Sequence, residues 1–326
     1  MTQTVLITGG AGYIGSHAVL AFLKAGWRVV VLDDLSTGFR HLVPAGVPLV
    51  HENLANTKAV AKALQEYHCS AVVHFAGSIV VPESVTNPLF YYYNNSAISR
   101  GLFQVCVEQN IKAVLFSSTA AVYGDAKTVP ITEQSPTVPI NPYGTSKLVT
   151  EYMLRDAAAA HGFNYGILRY FNVAGADPEG RTGQCSKAAT HLIKVACEVA
   201  SGKRPQISVF GTDYDTPDGT CIRDYIHVSD LAFAHVLTLE HILKTQQNVT
   251  FNCGYGHGYS VRAVLNTVQK VAAKSISIVE TDRRLGDPPA LVADSALIRT
   301  TLDWQPQHDN LEFIVKTALA WEAGLV

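Results

Sequence analysis

The stretch Val5-Leu6-Ile7-Thr8-Gly9-Gly10-Ala11-Gly12-Tyr13-Ile14-Gly15-Ser16-His17 decides how this chain folds. A short β-favouring run ends in a glycine-rich turn, and a segment of helical period, residues 13–25, follows at once. Both GxGxxG, from Gly10, and GxxGxxG, from Gly9, fit the run. Glycines 9, 12 and 15 permit the tight turn. They also let backbone N–H groups at a helix start, beside Tyr13 and Ile14, approach a pyrophosphate. Alone, the motif is as well explained by a structural turn. Context decides: a second β-run, residues 28–33, ends at Asp33. An acid at that point accepts the hydroxyls of an adenosine ribose and repels a 2′-phosphate, and Asp34 adds to the repulsion. The pattern favours NAD over NADP.

Working outward, β-rich runs at 4–8, 28–33, 48–53, 71–75, 113–118 and 165–171 alternate with helical stretches at 13–25, 57–67, 89–109 and 143–161. Several of the runs are apolar throughout, as parallel strands covered on both faces are. This order predicts an α/β fold: a Rossmann, doubly wound parallel sheet over residues 1–171. Residues 172–326 are expected to form a smaller C-terminal α/β substrate-binding domain, with some segments returning to the first sheet. There, 172–184 and 210–224 read as long loops, with helices near 188–201, 229–243, 261–273 and 311–323. Further strand ends, Asn53-Leu54 and Phe75-Ala76-Gly77, and Asn94 on the following helix, are candidates for the rest of the cofactor pocket. Strand ends need capping anyway, so each is equally well explained without a ligand.

Asn141-Pro142-Tyr143-Gly144-Thr145-Ser146-Lys147 carries the strongest chemical signal. Asn as cap and Pro at the first position start a helix. The i, i+4 spacing then puts Tyr143 and Lys147 on one face. A free tyrosine, with a pKa of about 10, is a poor base. An ammonium and a positive nicotinamide ring beside it stabilise the phenolate. Thr119, in the hydroxyl-rich run 117–119 after a strand, can hydrogen-bond the reacting oxygen. Hydroxyl, tyrosine and lysine together make a proton relay for alcohol–ketone interconversion with hydride transfer to NAD.

Composition narrows the classes. The 326 residues are 48% hydrophobic and 16% charged with a net charge of -2, which offers no field for nucleic acid or an anionic membrane. No apolar run approaches the roughly 20 residues of a membrane span, and Met1 leads directly into the first strand. Six scattered cysteines lack CxxC or metal spacing. A cytoplasmic protein with reduced thiols and no metal is expected.

With these motifs in hand, the chain resembles the UDP-glucose 4-epimerases (UDP-galactose 4-epimerases) of the extended short-chain dehydrogenase/reductase family. The resemblance runs nearly end to end. It rests on TGGAGYIGSH (8–17), LDDLSTG (32–38), HFAG (74–77), SSTAAVYG (117–124), NPYGTSK (141–147), LRYFNVAGADP (168–178), FGTDYDTPDGTCIRDYIHV (210–228) and RRLGDPPALVAD (283–294). It implies an NAD-using isomerase of galactose metabolism. Tyr143 would be the C4-hydroxyl base, Lys147 its electrostatic partner and a ribose contact, and Thr119 the hydroxyl on the reacting oxygen. Phe171 would touch the cofactor, and Asn172 and Tyr225 the substrate. Arg223 and Arg284 would grip the diphosphate, with Phe210 and Asp287 enclosing the uridine. A homodimer is implied, through helices near 89–109 and 143–161.

The implied chemistry is coherent. C4 of a hexose has no acidic C–H, so inversion requires oxidation to a transient 4-keto sugar and return of the hydride to the opposite face. The chain departs from the family at Ile79, where many members have lysine, at Asn53, where aspartate is usual, and in the shorter loop between Gly183 and Ala188. At Leu291 the family commonly has a bulky tyrosine or a small cysteine, a difference associated with excluding or admitting N-acetylated sugars. Leucine lies between, so N-acetyl tolerance stays open; a 4-epimerase of a UDP-N-acetylhexosamine, UDP-pentose or UDP-uronate is the nearest alternative. A 4,6-dehydratase is disfavoured because Ala120 and Ala121 follow Thr119 where that reaction needs Asp-Glu. A non-catalytic NAD-sensing protein is the alternative from another class. Retention of both Tyr143 and Lys147 argues against it.

Overall fold

A computed structural model describes residues 3–186, 189–284 and 287–325. The chain divides into two compact units. One comprises Met1–Gly124, Thr137–Arg169 and Ala232–Phe251, the other Asp125–Pro136, Tyr170–Leu231 and Asn252–Val326.

In the first unit, strands β1 (Thr4–Thr8), β2 (Arg28–Asp33), β3 (Leu49–His51), β4 (Ala71–His74), β5 (Ala113–Thr119) and β6 (Asn164–Tyr170) join Val249–Cys253 in a seven-stranded sheet. The order across it is Val249–Cys253, β6, β5, β4, β1, β2, β3. The pairs β1–β2, β1–β4, β2–β3 and β4–β5 run parallel. The chain therefore winds outward from β1 to β3, then reverses through β4. That reversal opens a crevice at the carboxyl ends of β1 and β4, where open α/β sheets take ligands. The expected doubly wound α/β sheet is what forms.

The first unit's helices are α1 (Tyr13–Lys24), α2 (Thr57–Glu66), α3 (Val81–Thr86), α4 (Pro88–Tyr91), α5 (Ile98–Glu108) and α6 (Pro142–His161), together with most of the helix Val228–Thr245, which forms where one was expected near 229–243. Leu6, Val30, Leu32, Val72, Val114 and Phe116 of the strands pack with Val60 and Leu64 of α2, Leu102 and Phe103 of α5, and Leu154 of α6. Every residue of β5 is buried, so its apolar run follows from cover on both faces. Local sequence sets the helix ends. Asn141 Oδ1 accepts the Gly144 N–H at 2.9 Å ahead of Pro142, and Gly162 closes α6 at φ 75°.

The helix expected over 89–109 is divided. A π-helical turn, Tyr92–Ala97, separates α4 from α5. This turn carries Asn95, whose buried side chain bonds to Ser78 and Ser146, a constraint between segments that helical period does not reveal. Helix α3 was not foreseen because six residues beginning Val81-Pro82 carry too little period.

The second unit is built from short pairings. Asn172–Ala174 runs parallel to Tyr225–His227, and Ile207–Phe210 to Ile278–Thr281. Ile222–Arg223 lies between antiparallel Tyr259–Ser260 and parallel Ala290–Leu291. The segments 172–184 and 210–224, expected as loops, therefore each contain a strand of two or three residues, too short for alternation to register. Helices Leu192–Ala200, Val261–Ala272 and Leu311–Gly324 bury Ile193, Leu265, Val268, Ile314 and Val315. The helix expected from Ala188 begins at Leu192; Ala188 itself lies outside the described residues. Asp224, fully buried, accepts the N–H groups of Tyr255 at 2.9 Å, Gly256 at 3.0 Å and Ala293 at 3.2 Å, tying three loops together.

Leu102 is fully buried in the first unit and Leu89 is 79% exposed. Leu102→Ala is expected to cost about 2–5 kcal/mol in denaturant unfolding. Leu89→Ala should stay within about 0.5 kcal/mol of wild type. Equal losses would contradict this packing.

Candidate active site

The glycine turn after β1 is built around close backbone approach. A Cβ on Gly15 would lie 2.1 Å from the Gly9 carbonyl oxygen, and one on Gly9, at φ +70°, would lie 2.7 Å from the Ala76 nitrogen. Among the described residues no side chain caps α1 at Gly12, and no acid occupies its first turn. Tyr13 and Ile14, half-buried, open the helix. At the end of β2, buried Asp33 accepts the N–H groups of Ala11 and Leu35, both at 2.9 Å. Burial pushes its carboxyl up, opposed by those two donors. An uncapped helix N-terminus, a turn with no room for side chains and a carboxylate at the β2 end together fit the pyrophosphate and ribose of NAD.

The remaining cofactor candidates divide. Asn53 is exposed and bonds Asp34, its Nδ2 donating to Oδ2 at 2.6 Å. Burial pushes the Asp34 carboxyl up, but hydrogen bonds from Ser36 and Asn53 outweigh it and hold that carboxyl below its usual value. An aspartate at 53 would face Asp34 with a second negative charge; asparagine supplies a donor. Leu54 packs its side chain into the hydrophobic core, which leaves its backbone as the part available to a ligand. Phe75 packs on the His235 ring at 4.7 Å, and Ala76 sits under Gly9. Gly77, at φ +155°, lies against Asn95 Oδ1, and a Cβ there would stand 3.8 Å from Lys147 Nζ. Asn94 donates to Ser78 Oγ at 2.9 Å. The neighbouring Asn95, which the sequence did not single out, is the more embedded of the pair. Its Oδ1 takes the Ser78 N–H at 2.7 Å and its Nδ2 donates to Ser146 Oγ at 3.0 Å.

The candidate catalytic groups converge where α6 crosses the end of β5. Thr119, the last residue of β5, accepts the Ala121 N–H at 3.1 Å and hydrogen-bonds Tyr143. Lys147 Nζ donates to the Ser117 carbonyl at 2.9 Å and stands 4.8 Å from the Phe116 ring centroid. Burial pushes the Lys147 ammonium down to about 8, against the pull of Glu151. Burial, then the Lys147 charge, push the His74 imidazole down to about 3, so His74 is neutral and bridges Thr8 and Ser99 at 2.7 and 2.8 Å. The Tyr143 phenol departs from the sequence expectation. Burial raises it, and the Thr119 hydrogen bond only partly offsets the rise. Without the nicotinamide's positive charge, the phenolate is less favoured than in water.

In the second unit Asn172 and Tyr225 stand directly opposite in a parallel pair and line one cavity with His191, Lys194 and Trp321. Arg223 pairs in register with Leu291, and its Nη2 lies 3.8 Å from Asp287 Oδ1. The Arg284 guanidinium lies 3.7 Å over the Phe210 ring. Thus Arg223, Asp287 and Leu291 are brought together, as are Phe210 and Arg284. Phe171 is buried, its N–H on the Cys253 carbonyl at 3.3 Å.

Comparison with known proteins follows the same lines. The model of the NAD dependent epimerase/dehydratase family matches residues 5–254. The chain belongs to this family. Among epimerase/dehydratase relatives, the UDP-glucose 4-epimerase of Azospirillum brasilense is 58% identical over 98% of this chain and 92% of its own length. The crystal structure of UDP-glucose 4-epimerase from Brucella ovis in complex with NAD superposes with a TM-score of 0.96 at 41% identity, covering 99% of each chain. The UDP-Glc/GlcNAc 4-epimerase of Campylobacter jejuni is 45% identical, with a TM-score of 0.86 over 98% of this chain and 99% of its own. The resemblance to UDP-glucose 4-epimerases read from the motifs therefore holds along the whole chain.

Asn53→Asp is expected to lower the melting temperature at pH 7 by setting two carboxylates against each other. Most of the loss should return in 1 M salt or with Asp34→Asn added. A salt-independent loss that Asp34→Asn leaves in place would contradict the pairing.

Proposed function

We propose that this chain inverts C4 of a UDP-hexose, interconverting UDP-glucose and UDP-galactose through a transient 4-keto sugar, with NAD as resident cofactor. The observation that carries the reading is the convergence of Thr119, Tyr143 and Lys147 at the end of β5. The full-length likeness to proteins named UDP-glucose 4-epimerase supports it.

Gly9, Gly12, Tyr13, Ile14, Gly15 and Asp33, with Asn53, Leu54, Phe75–Gly77, Asn94, Lys147 and Phe171, are the residues that would hold NAD. When bound, NAD supplies the acceptor for the C4 hydride and the donor that returns it. Tyr143 Oη takes the proton of the C4 hydroxyl and gives it back after the sugar has turned over. Thr119 steadies that oxygen with a hydrogen bond. Lys147, protonated, offsets the charge of the phenolate and holds the ribose. Arg223 and Arg284 clamp the diphosphate with planar donors suited to paired oxygens, while Phe210, Tyr225, Asp287 and Asn172 hold the rest of the nucleotide-sugar.

Leu291 supports a second reading of substrate range. A side chain of intermediate bulk there is compatible with N-acetylated UDP-sugars, and one similar structure is named a UDP-Glc/GlcNAc 4-epimerase. We further infer a homodimer in the cytoplasm, formed through the helices within 89–109 and 143–161. Exposed Leu89, Tyr93 and Tyr152 on those helices favour such an interface.

Tyr143→Phe should retain bound NAD yet lose at least about a hundredfold in turnover of UDP-galactose, with KM little changed. Wild-type turnover in that variant would overturn the assignment of the base.

A further inference from the structure

Three consecutive residues at the end of β5 are each gripped by a successive turn of α6, and the proposed chemistry accounts for two of the grips. Thr119 is held by Tyr143, and the Ser117 carbonyl by Lys147. The third belongs to Ser118, whose Oγ donates to Glu151 Oε1 at 2.6 Å. Glu151 follows Lys147 by the same four-residue step that separates Lys147 from Tyr143, and it is fully buried.

The Glu151 carboxylate is enclosed by cations. Arg169, buried on β6, donates Nε to Oε1 at 2.9 Å and Nη2 to Oε2 at 2.6 Å, and Arg155 Nη2 reaches Oε2 at 3.1 Å. Arg169 Nη1 continues to the Tyr123 hydroxyl at 2.9 Å. Tyr123 closes the 3₁₀ turn that begins at Thr119. One buried pair therefore holds the chain on both sides of Thr119, at Ser118 before it and Tyr123 after it. A buried ion pair is a poor device for stability, since apolar residues of the same volume often do as well. Its specific value here is geometric and electrostatic.

We propose that Glu151 and Arg169 form a positioning pair that fixes Thr119 against Tyr143 and keeps the Lys147 ammonium charged. This rests on the function proposed above. The titratable groups that act on Lys147 are Glu151, one turn on along its own helix, and neutral His74 from β4; Tyr143 lies one turn before it on the same helix. His235 stands behind Ser117, with its Nε2 2.8 Å from Ser117 Oγ, and Arg155 and Arg169 stand behind Glu151. Glu151 is the one carboxylate among them. With Lys147 already pushed down to about 8 by burial, removing that negative charge lowers it further, so the ammonium is lost at lower pH.

The test uses the NAD-loaded enzyme. In Glu151→Gln, the alkaline limb of kcat should move down by about one pH unit, with KM nearly constant. The Lys147 ¹³Cε resonance, assigned with Lys147→Arg, should titrate lower by a similar step in the same variant. Glu151→Asp should restore the limb in part. Ser118→Ala, which keeps the charge, should lower kcat several-fold at an unchanged limb. Where Glu151→Gln folds poorly, Glu151→Gln/Arg169→Met removes both charges and should melt near wild type with kcat still reduced. Wild-type kcat in the double variant, or a Glu151→Gln enzyme whose limb and Lys147 resonance stay in place, overturns the inference. Tyr143→Phe run alongside reports on the base itself, so failure of that reading is seen separately.

Discussion

An ammonium held out of water at the end of β5 is the constraint on which the candidate site depends. Lys147 is buried, hydrogen-bonded to the Ser117 carbonyl and set over Phe116, so its charge faces groups that cannot reorient like solvent. Low local dielectric strengthens every interaction it makes and also penalises the charge itself. The sequence meets both demands with one helix. Tyr143, Lys147 and Glu151 follow at four-residue spacing on α6, so a phenol, a cation and a carboxylate line one face that lies on a single strand end.

The rest of the first unit holds that strand end in place. The sheet reverses between β1 and β4, and the loops after both strands meet, with Gly9 against Ala76. Gly77 then brings the β4 loop to Asn95 and to the side of Lys147. Neutral His74 ties β1, β4 and α5 together without adding a competing charge. The glycine turn and the candidate catalytic groups are thus parts of one closely packed arrangement.

How much of this was legible in the sequence depends on the range of each interaction. The glycine turn, the end of β2 at Asp33 and the Asn141–Pro142 start of α6 were readable because local chemistry sets them. The grouping of Tyr143 with Lys147 needed only helical spacing. Asn95 was missed beside Asn94 because a π-helical turn, not ordinary helical period, decides which of the two is buried. Glu151 and Arg169 were missed because a helix and a strand meet there through folding, and either residue alone reads as a surface charge. Leu54 reads as a strand-end contact yet packs its side chain into the core. The short strands of the second unit, two to four residues each, carry no period at all. The tyrosine's raised phenol was invisible for a related reason: burial, which motifs do not report, outweighs the hydroxyl beside it.

Burial raises the Tyr143 phenol, so in the proposed mechanism the Lys147 ammonium and the positive cofactor ring must together bring it down. The most direct measurement is a spectrophotometric titration of tyrosinate in the NAD-loaded protein, with Tyr143→Phe subtracted to isolate this one phenol. The proposed mechanism requires a midpoint clearly below the ordinary value of about 10, returning above it in Lys147→Met. A midpoint at or above the ordinary value in the loaded wild-type protein, or one that Lys147→Met leaves unmoved, would contradict it.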